Sequence, residues 1–537
     1  MSASREKQLR QENVGQPDPK TIREAQQRKS EKRSNVLYGA IAAVFVVVAL
    51  ASLVWRSNII PRSATAAVID GEKYTAAEVS FYYQNAYRNF YSNNYYYMSY
   101  GLLSLNPNAD LKTQELSEND AAMLGVEAGG TWHDFFVDQA LDQMAAVQNG
   151  LKKAQEEGFT YPAGVQAQYQ DSMESLKYAA GGSSGLQDSM ESLKSTAAAS
   201  GVSVSQYLAN IFGSTMTEKV YGEQLNRMLQ YDAYTQAYSD SLVYDEATLK
   251  ETYEADRNSY DKVAYEAVTI TGAAASTKDA DGNTVEATDE EKEAAKTAAK
   301  TAADNMLAAY QAGEKLETLA EGNEKATYVD NDGVSYTGDV LTDWLFNEDR
   351  KDGDTAVLES GTSYYVAVFH DRFLEEYPTI DIRHILIQPA AGTLAEGDEG
   401  YEDEQAQLKA DAKAKAEEIL AQWQAGDATE DSFAALAMEN SADGSKYVGG
   451  LYTQVYQGQM VDAFNDWCFD ASRQPGDTGI VETTYGYHVM YFVGQDLPYW
   501  QAQVTSALKD QDYAEWVQAF TADSSIEQNN SGMKYVG

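Results

Sequence analysis

Four histidines occur in 537 residues, and two of them sit in runs of apolar and aromatic residues: His384 in IRHILI (382–387) and His488 in TTYGYHVMYF (483–492). Such runs read as half-buried strands. Imidazole there can relay protons, ligate a metal or, as a neutral ring, donate at one nitrogen and accept at the other. A metal site is not expected, because nothing groups three ligands at usable spacing. His133 in TWHDFF and His370 in VFHDR match no motif and read as structural or surface residues. Cys468, the single cysteine, lies between Trp467 and Phe469. It can form no intrachain disulfide and reads as core packing.

An internal duplication sets the two strand histidines apart. Residues 344–369, WLFNEDRKDGDTAVLESGTSYYVAVF, align without a gap to 467–492, WCFDASRQPGDTGIVETTYGYHVMYF. The two share Trp, Phe, Arg, Gly-Asp-Thr, Glu, Tyr, Val and Phe at matching places. Upstream, AAYQAG (308–313) matches AQWQAG (421–426), each closing an Ala-rich helix at Gly. Each unit opens on a strand, YEAVTI (265–270) or IRHILI. The expectation is two copies of one α+β domain. Where the second has His384 and His488, the first has Ala267 and Tyr365. Presence together in one copy and absence together from the other suggest a joint role. The competing reading is a satisfied core pair that only stabilises the sheet.

The elements around these units are mostly helical. After AAVID, a turn at Asp70-Gly71 leads to a helix opened by Thr75, and residues 75 to 250 read as helices. Tyr83, Tyr87 and Tyr91 recur every four residues and share a face, either a surface for unfolded chains or packing between helices. QDSMESLK stands twice, at 170–177 and 187–194, as a local duplication and not a solenoid. The polar insertion at 272–300 is expected to begin as a mobile loop, and the acidic runs near 289 and at 398–404 as solvated surface. The tail after 496 has apolar residues at helical spacing and is expected to pack on the 65–250 helices.

Charge and hydropathy bound the setting. A net charge of −43 argues against nucleic acid as a partner, since its readers carry basic patches. Residues 36–55, VLYGAIAAVFVVVALASLVW, are uncharged and long enough to cross a bilayer. The 35 residues before them carry nine Lys or Arg against five Asp or Glu. The positive-inside rule therefore puts this tail in the cytoplasm and the rest outside. A cleaved signal peptide, with SATAA at 63–67 as its site, is the competing reading.

At the histidine strands and the segments between them, the second copy resembles a parvulin-type peptidyl-prolyl isomerase domain. The match runs from about 380 to 495 through RHILI, an Ala/Glu/Lys helix, FAALAMENSADGSKYVGGL, GQMVDAFNDWCF and PGDTGIVETTYGYHV. More loosely, the whole layout is similar to extracytoplasmic foldases of the PrsA and PpiD type. The resemblance places the family's two histidines on His384 and His488 and its Cys-or-Asp position on Asp443. It places the apolar cup for a substrate proline on Met460 and Phe464, with Leu451 added. One departure is local: where the family usually reads Gly-Gly-Asp-Leu-Gly, this chain has GGLY at 449–452.

Together these features describe an α+β chain with a single N-terminal transmembrane helix, a mostly helical chaperone-like lobe and two tandem parvulin-like domains, the first degenerate. The expected divisions are a cytoplasmic tail (1–35), the membrane helix (36–56), the helical domain (65–255), the degenerate unit (262–372), the isomerase unit (380–495) and a tail (496–537) packing on the helical domain. The implied function is a membrane-anchored extracytoplasmic prolyl isomerase and chaperone, acting without cofactor on unfolded or partly folded secreted polypeptides that contain proline, with a homodimer left open. The alternative is a non-catalytic holdase or scaffold.

Overall fold

The computed structural model describes residues 59–181, 203–278 and 284–537, and four helical positions in 44–48. The apolar run 36–55 thus lies almost wholly outside the described residues, as does the second QDSMESLK. Among the described residues no helix is long and apolar enough to cross a membrane.

The helical lobe starts with the hairpin β1 (Thr65–Ile69) and β2 (Glu72–Thr75), then helix α1 (Ala76–Ser99). Thr75 caps α1: its hydroxyl accepts from the Glu78 amide while the Glu78 carboxylate accepts from the Thr75 amide, a reciprocal box. Helices α2 (Trp132–Glu156), α3 (Ala163–Gly181), α4 (Val204–Phe212), α5 (Glu218–Ser241) and α6 (Glu246–Ala255) come next. Phe81, Tyr82, Trp132 and Phe136 are fully buried between them, each contributing about 2–3 kcal/mol by leaving water. The tyrosine row of α1 divides along its length: Tyr83 is buried, Tyr87 and Tyr91 are half-buried, and Tyr95 is exposed.

Beyond the helices lie two four-stranded antiparallel sheets. The first holds β3 (Lys262–Ile270), β6 (Ala326–Val334), β7 (Thr355–Ser360) and β8 (Ser363–Phe373) in the order β6-β3-β8-β7. A two-residue hairpin, β4 (Thr277–Lys278) with β5 (Thr284–Val285), interrupts it. The second sheet holds β9 (Pro378–Ile387), β10 (Leu451–Val455), β11 (Thr478–Thr483) and β12 (Gly486–Pro498) in the order β10-β9-β12-β11. With β3 matched to β9 and β8 to β12, order and register coincide: Ala267 pairs with Ala367, and His384 with Met490.

Helix packing repeats as well. Between the strands of the first sheet lie α7 (Asp289–Gln311), α8 (Leu316–Glu321) and α9 (Val340–Leu345); between those of the second lie α10 (Tyr401–Ala425), α11 (Glu430–Asn440) and α12 (Asp462–Cys468). Ala299, Ala303 and Met306 of α7, and Ala412, Ala416 and Ile419 of α10, are buried at the i, i+4, i+7 spacing of one helical face. The insertion 272–300 begins without helix or strand, as expected, over 272–276. From Asp289 onward it is helix, because Thr288 and Glu291 form a capping box ahead of an alanine-rich stretch.

The residues shared by the two units are structural. Arg350 and Arg473 each donate from Nε to the carbonyl of a tryptophan, Trp344 at 3.0 Å and Trp467 at 3.1 Å. Each guanidinium also lies over that indole, 4.4 and 3.9 Å from its centroid. Gly353 and Gly476, at φ 82° and 90°, turn the chain so that their amides donate to Phe369 and Phe492.

Past the second sheet, α13 (Tyr499–Thr521) returns to the helical lobe, with Trp516 stacked on Tyr238 at 4.0 Å. Strand β13 (Ile526–Gln528) then pairs antiparallel with β1.

Candidate active site

His384 of β9 and His488 of β12 lie on one face of the second sheet. In register, His384 faces Met490 and His488 faces Leu386, so the imidazoles are diagonal neighbours across one strand pair. Both are buried, and their Nδ1 atoms are 3.1 Å apart. Asp443 comes after α11 and opens the 3₁₀ turn Gly444–Val448. Its Oδ1 accepts from the Ser445 amide at 2.8 Å, from the Ser445 hydroxyl and from Tyr452 OH at 2.9 Å, and it lies 3.4 Å from His384 Nε2.

One placement of protons links these side chains in a single chain of donors. The Tyr485 amide donates to Thr483 Oγ1 at 3.1 Å, and that hydroxyl donates to His488 Nε2 at 2.9 Å. His488 Nδ1–H then donates to His384 Nδ1, and His384 Nε2–H points at Ser445 Oγ and the Asp443 carboxylate. The chain of donors ends on the half-buried Asp443 carboxylate. Burial, then the neighbouring His384, push the His488 pKa down to about 4. Burial alone would raise Asp443, but hydrogen bonds from His384 and Ser445 outweigh it and hold the carboxyl well below its usual range.

Phe464 of α12 is buried with its ring edge-on to both imidazoles, 5.4 Å from His384 and 5.3 Å from His488. Met460, half-buried, packs on the same apolar cluster with Ile382, Met490 and Phe492. Leu451 departs from its expected place in the cup. It pairs with Arg383, so strand alternation turns it to the sheet face opposite the imidazoles. Its neighbour Tyr452 stacks on His384 at 5.0 Å and reaches Asp443. Burial and the Asp443 carboxylate push the Tyr452 phenol up to about 12, so it stays a donor.

The sequence reading missed Ser445, Tyr452 and Thr483. Ser445 was visible as an Asp-Gly-Ser turn in which Asp443 caps a short helix. Nothing in sequence spacing pointed to Thr483. The first unit lacks this arrangement. Ala267 and Tyr365 pack there with Leu341 and Phe346, and only residues 322–325 join α8 to β6, against 441–450 between α11 and β10.

Residues 366–495 match the family model of the PPIC-type PPIASE domain. No curated protein matches the chain. Among solved structures, peptidylprolyl isomerase (PrsA) from Bacillus anthracis is 22% identical over 28% of this chain and 58% of its own, with a TM-score of 0.17. That from Bacillus cereus is 22% identical over 30% and 56%, with a TM-score of 0.17. PrsA from Bacillus subtilis is 14% identical over 77% and 93%, with a TM-score of 0.26. The chain spans a little over half the length of the first two, and scores this low carry no inference about the overall fold. By the match of 366–495, in which the histidine pair and Asp443 fall, the chain carries a PPIC-type peptidyl-prolyl isomerase domain.

Proposed function

We propose that the chain is a membrane-anchored, extracytoplasmic peptidyl-prolyl cis/trans isomerase and chaperone that acts on unfolded secreted polypeptides. The observation that carries the catalytic part is the meeting of His384, His488 and Asp443 beside Phe464, segments distant in sequence. The amide before proline resists rotation by ~18–20 kcal/mol because its C–N bond has double-bond character. No covalent step is needed to lower that barrier; the site has to hold the ring, exclude water and prefer the twisted amide. Met460 and Phe464 seat the pyrrolidine ring, and the imidazole pair forms a fixed polar floor under the amide. Each ~1.4 kcal/mol of preference for the twisted state gives tenfold in rate.

Anchoring rests on the uncharged run 36–55 and the basic excess before it. The chaperone role rests on the exposed aromatic end of α1, where Tyr95, Tyr96 and Tyr100 are each more than half exposed. The test is a prolyl-peptide isomerisation assay on the full chain beside Asp443→Ala and Met460→Ala. The expected result is a rate above background that falls at least tenfold in both folded variants. No rate above background in the folded wild-type chain would favour a holdase that uses these domains only for binding. Protease added to intact cells should remove the C-terminal domains and spare the tail; protection of both ends would overturn the topology.

A further inference from the structure

The turn Gly444–Val448 has two faces. Its inner face belongs to the site: Ser445 feeds Asp443, and Arg383, held by Glu430 at 2.9 Å, donates to the carbonyls of Val448 and Gly449 at 3.0 Å. Its outer face belongs to another part of the molecule. Lys446 Nζ lies 2.6 Å from Asp171 Oδ2 on α3 of the helical lobe, and Tyr447 OH donates to the same oxygen at 3.1 Å. At the start of α3, Gly164 sits so close that a Cβ there would fall 2.2 Å from the Tyr447 carbonyl oxygen. The Lys446 side chain is 16% exposed and that of Asp171 44%, so the pair is shielded on the lysine side only.

We propose that Asp171 is a positioning residue for the isomerase reaction: α3 of the helical lobe clamps the turn that carries Asp443 and Ser445 and so fixes how they orient His384. The proposal rests on the catalytic roles proposed for His384 and Asp443. Its physical basis is the shortness of the turn. The Gly450 amide donates to the Ser445 carbonyl at 2.8 Å and the Gly449 amide to that of Lys446 at 2.9 Å, so a displacement at Lys446 or Tyr447 cannot be absorbed before it reaches Ser445. A partner or client that shifts α3 would therefore alter turnover.

The test uses the full chain. Asp171→Ala removes the tether and Gly164→Ala pushes on the Tyr447 peptide, while Asp171→Glu retains the charge. We expect kcat/KM for a proline peptide to fall about tenfold in the first two with KM little changed, and to recover in part with Asp171→Glu. The imidazole NMR resonances of His384 and His488 should move in the first two variants and return toward wild type in the third. Unchanged turnover together with unchanged imidazole resonances in folded Asp171→Ala would overturn the proposal. Should that variant fail to fold, Asp171→Asn, which keeps the side-chain shape, is read the same way. If the wild-type chain and Asp443→Ala turn over alike, the catalytic reading has failed, and the resonances alone decide whether α3 holds the turn.

Discussion

Asp443 and His488 lie on one hydrogen-bonded chain, joined through His384. That arrangement has a sign in pH. His488 is lowered from 6.5 to about 4 in the folded protein, so between these values the unfolded chain binds the proton that the native state refuses. Its contribution to stability is complete above pH 6.5 and is lost as pH falls toward 4; Asp443, also lowered, contributes above 3.8 and loses that stability at still lower pH. We predict that isomerase kcat/KM is flat from pH 8 to 5 and falls with an apparent pKa near 4. His488→Gln should flatten the stability slope between pH 4 and 6.5 in chemical denaturation across pH. A slope unchanged by that substitution would mean that His488 is not the group that titrates.

At the element scale, two glycines close the turn that carries Asp443. Gly450, at φ 73°, lies so near β9 that an added Cβ would fall 2.3 Å from the His384 carbonyl oxygen. Gly450→Ala should therefore cost about 2 kcal/mol or more and abolish turnover, read by urea unfolding and peptide isomerisation on the same sample. The first unit supplies the converse experiment. Its strands place Ala267 and Tyr365 where the second places the histidines, but no segment stands in for Ser441 to Gly450. Ala267→His with Tyr365→His, made in an Asp443→Ala background, should restore no isomerase rate. Recovery would mean that the imidazoles suffice without the carboxylate turn.

Over the whole molecule, one junction between parts carries a buried charge. Asp261, at the entry to β3, has a side chain only 1% exposed. It accepts from Arg372 Nε at 2.6 Å and Tyr253 OH at 2.7 Å, with Arg257 at 3.3 Å. Tyr253 lies on α6 and also meets Trp500 of α13, so this cluster ties the first sheet to the helical lobe. Arg372→Ala leaves the Asp261 carboxylate short of its closest partner and should destabilise the chain by about 3 kcal/mol. Urea unfolding measures it, and a change below about 0.5 kcal/mol would mean that Arg257 and Tyr253 suffice. The Asp443 turn should be little affected, since the cluster lies at α6, β3 and β8.

The duplication, the two strands with their histidines, the Thr75 cap and the helices among the described residues of 75–250 were legible in the chain, because each is a local pattern of period, cap or repeat. Spacing between copies separated residues that build the sheet, such as Arg473 and Gly476, from those that differ, such as His384 and His488. Asp443, Met460 and Phe464 came from resemblance; the fold brought Asp443 and Phe464 to the imidazoles and packed Met460 on the same apolar cluster as Phe464. What only the tertiary structure decided is which side of a strand faces the site and which distant segment supports it. Leu451 and Tyr452 are adjacent in sequence, yet pairing with Arg383 turns one away and leaves the other on Asp443. Asp171 meets Lys446 across hundreds of residues through one ion pair, and such a contact leaves no periodic trace in sequence, since it depends on where whole helices dock.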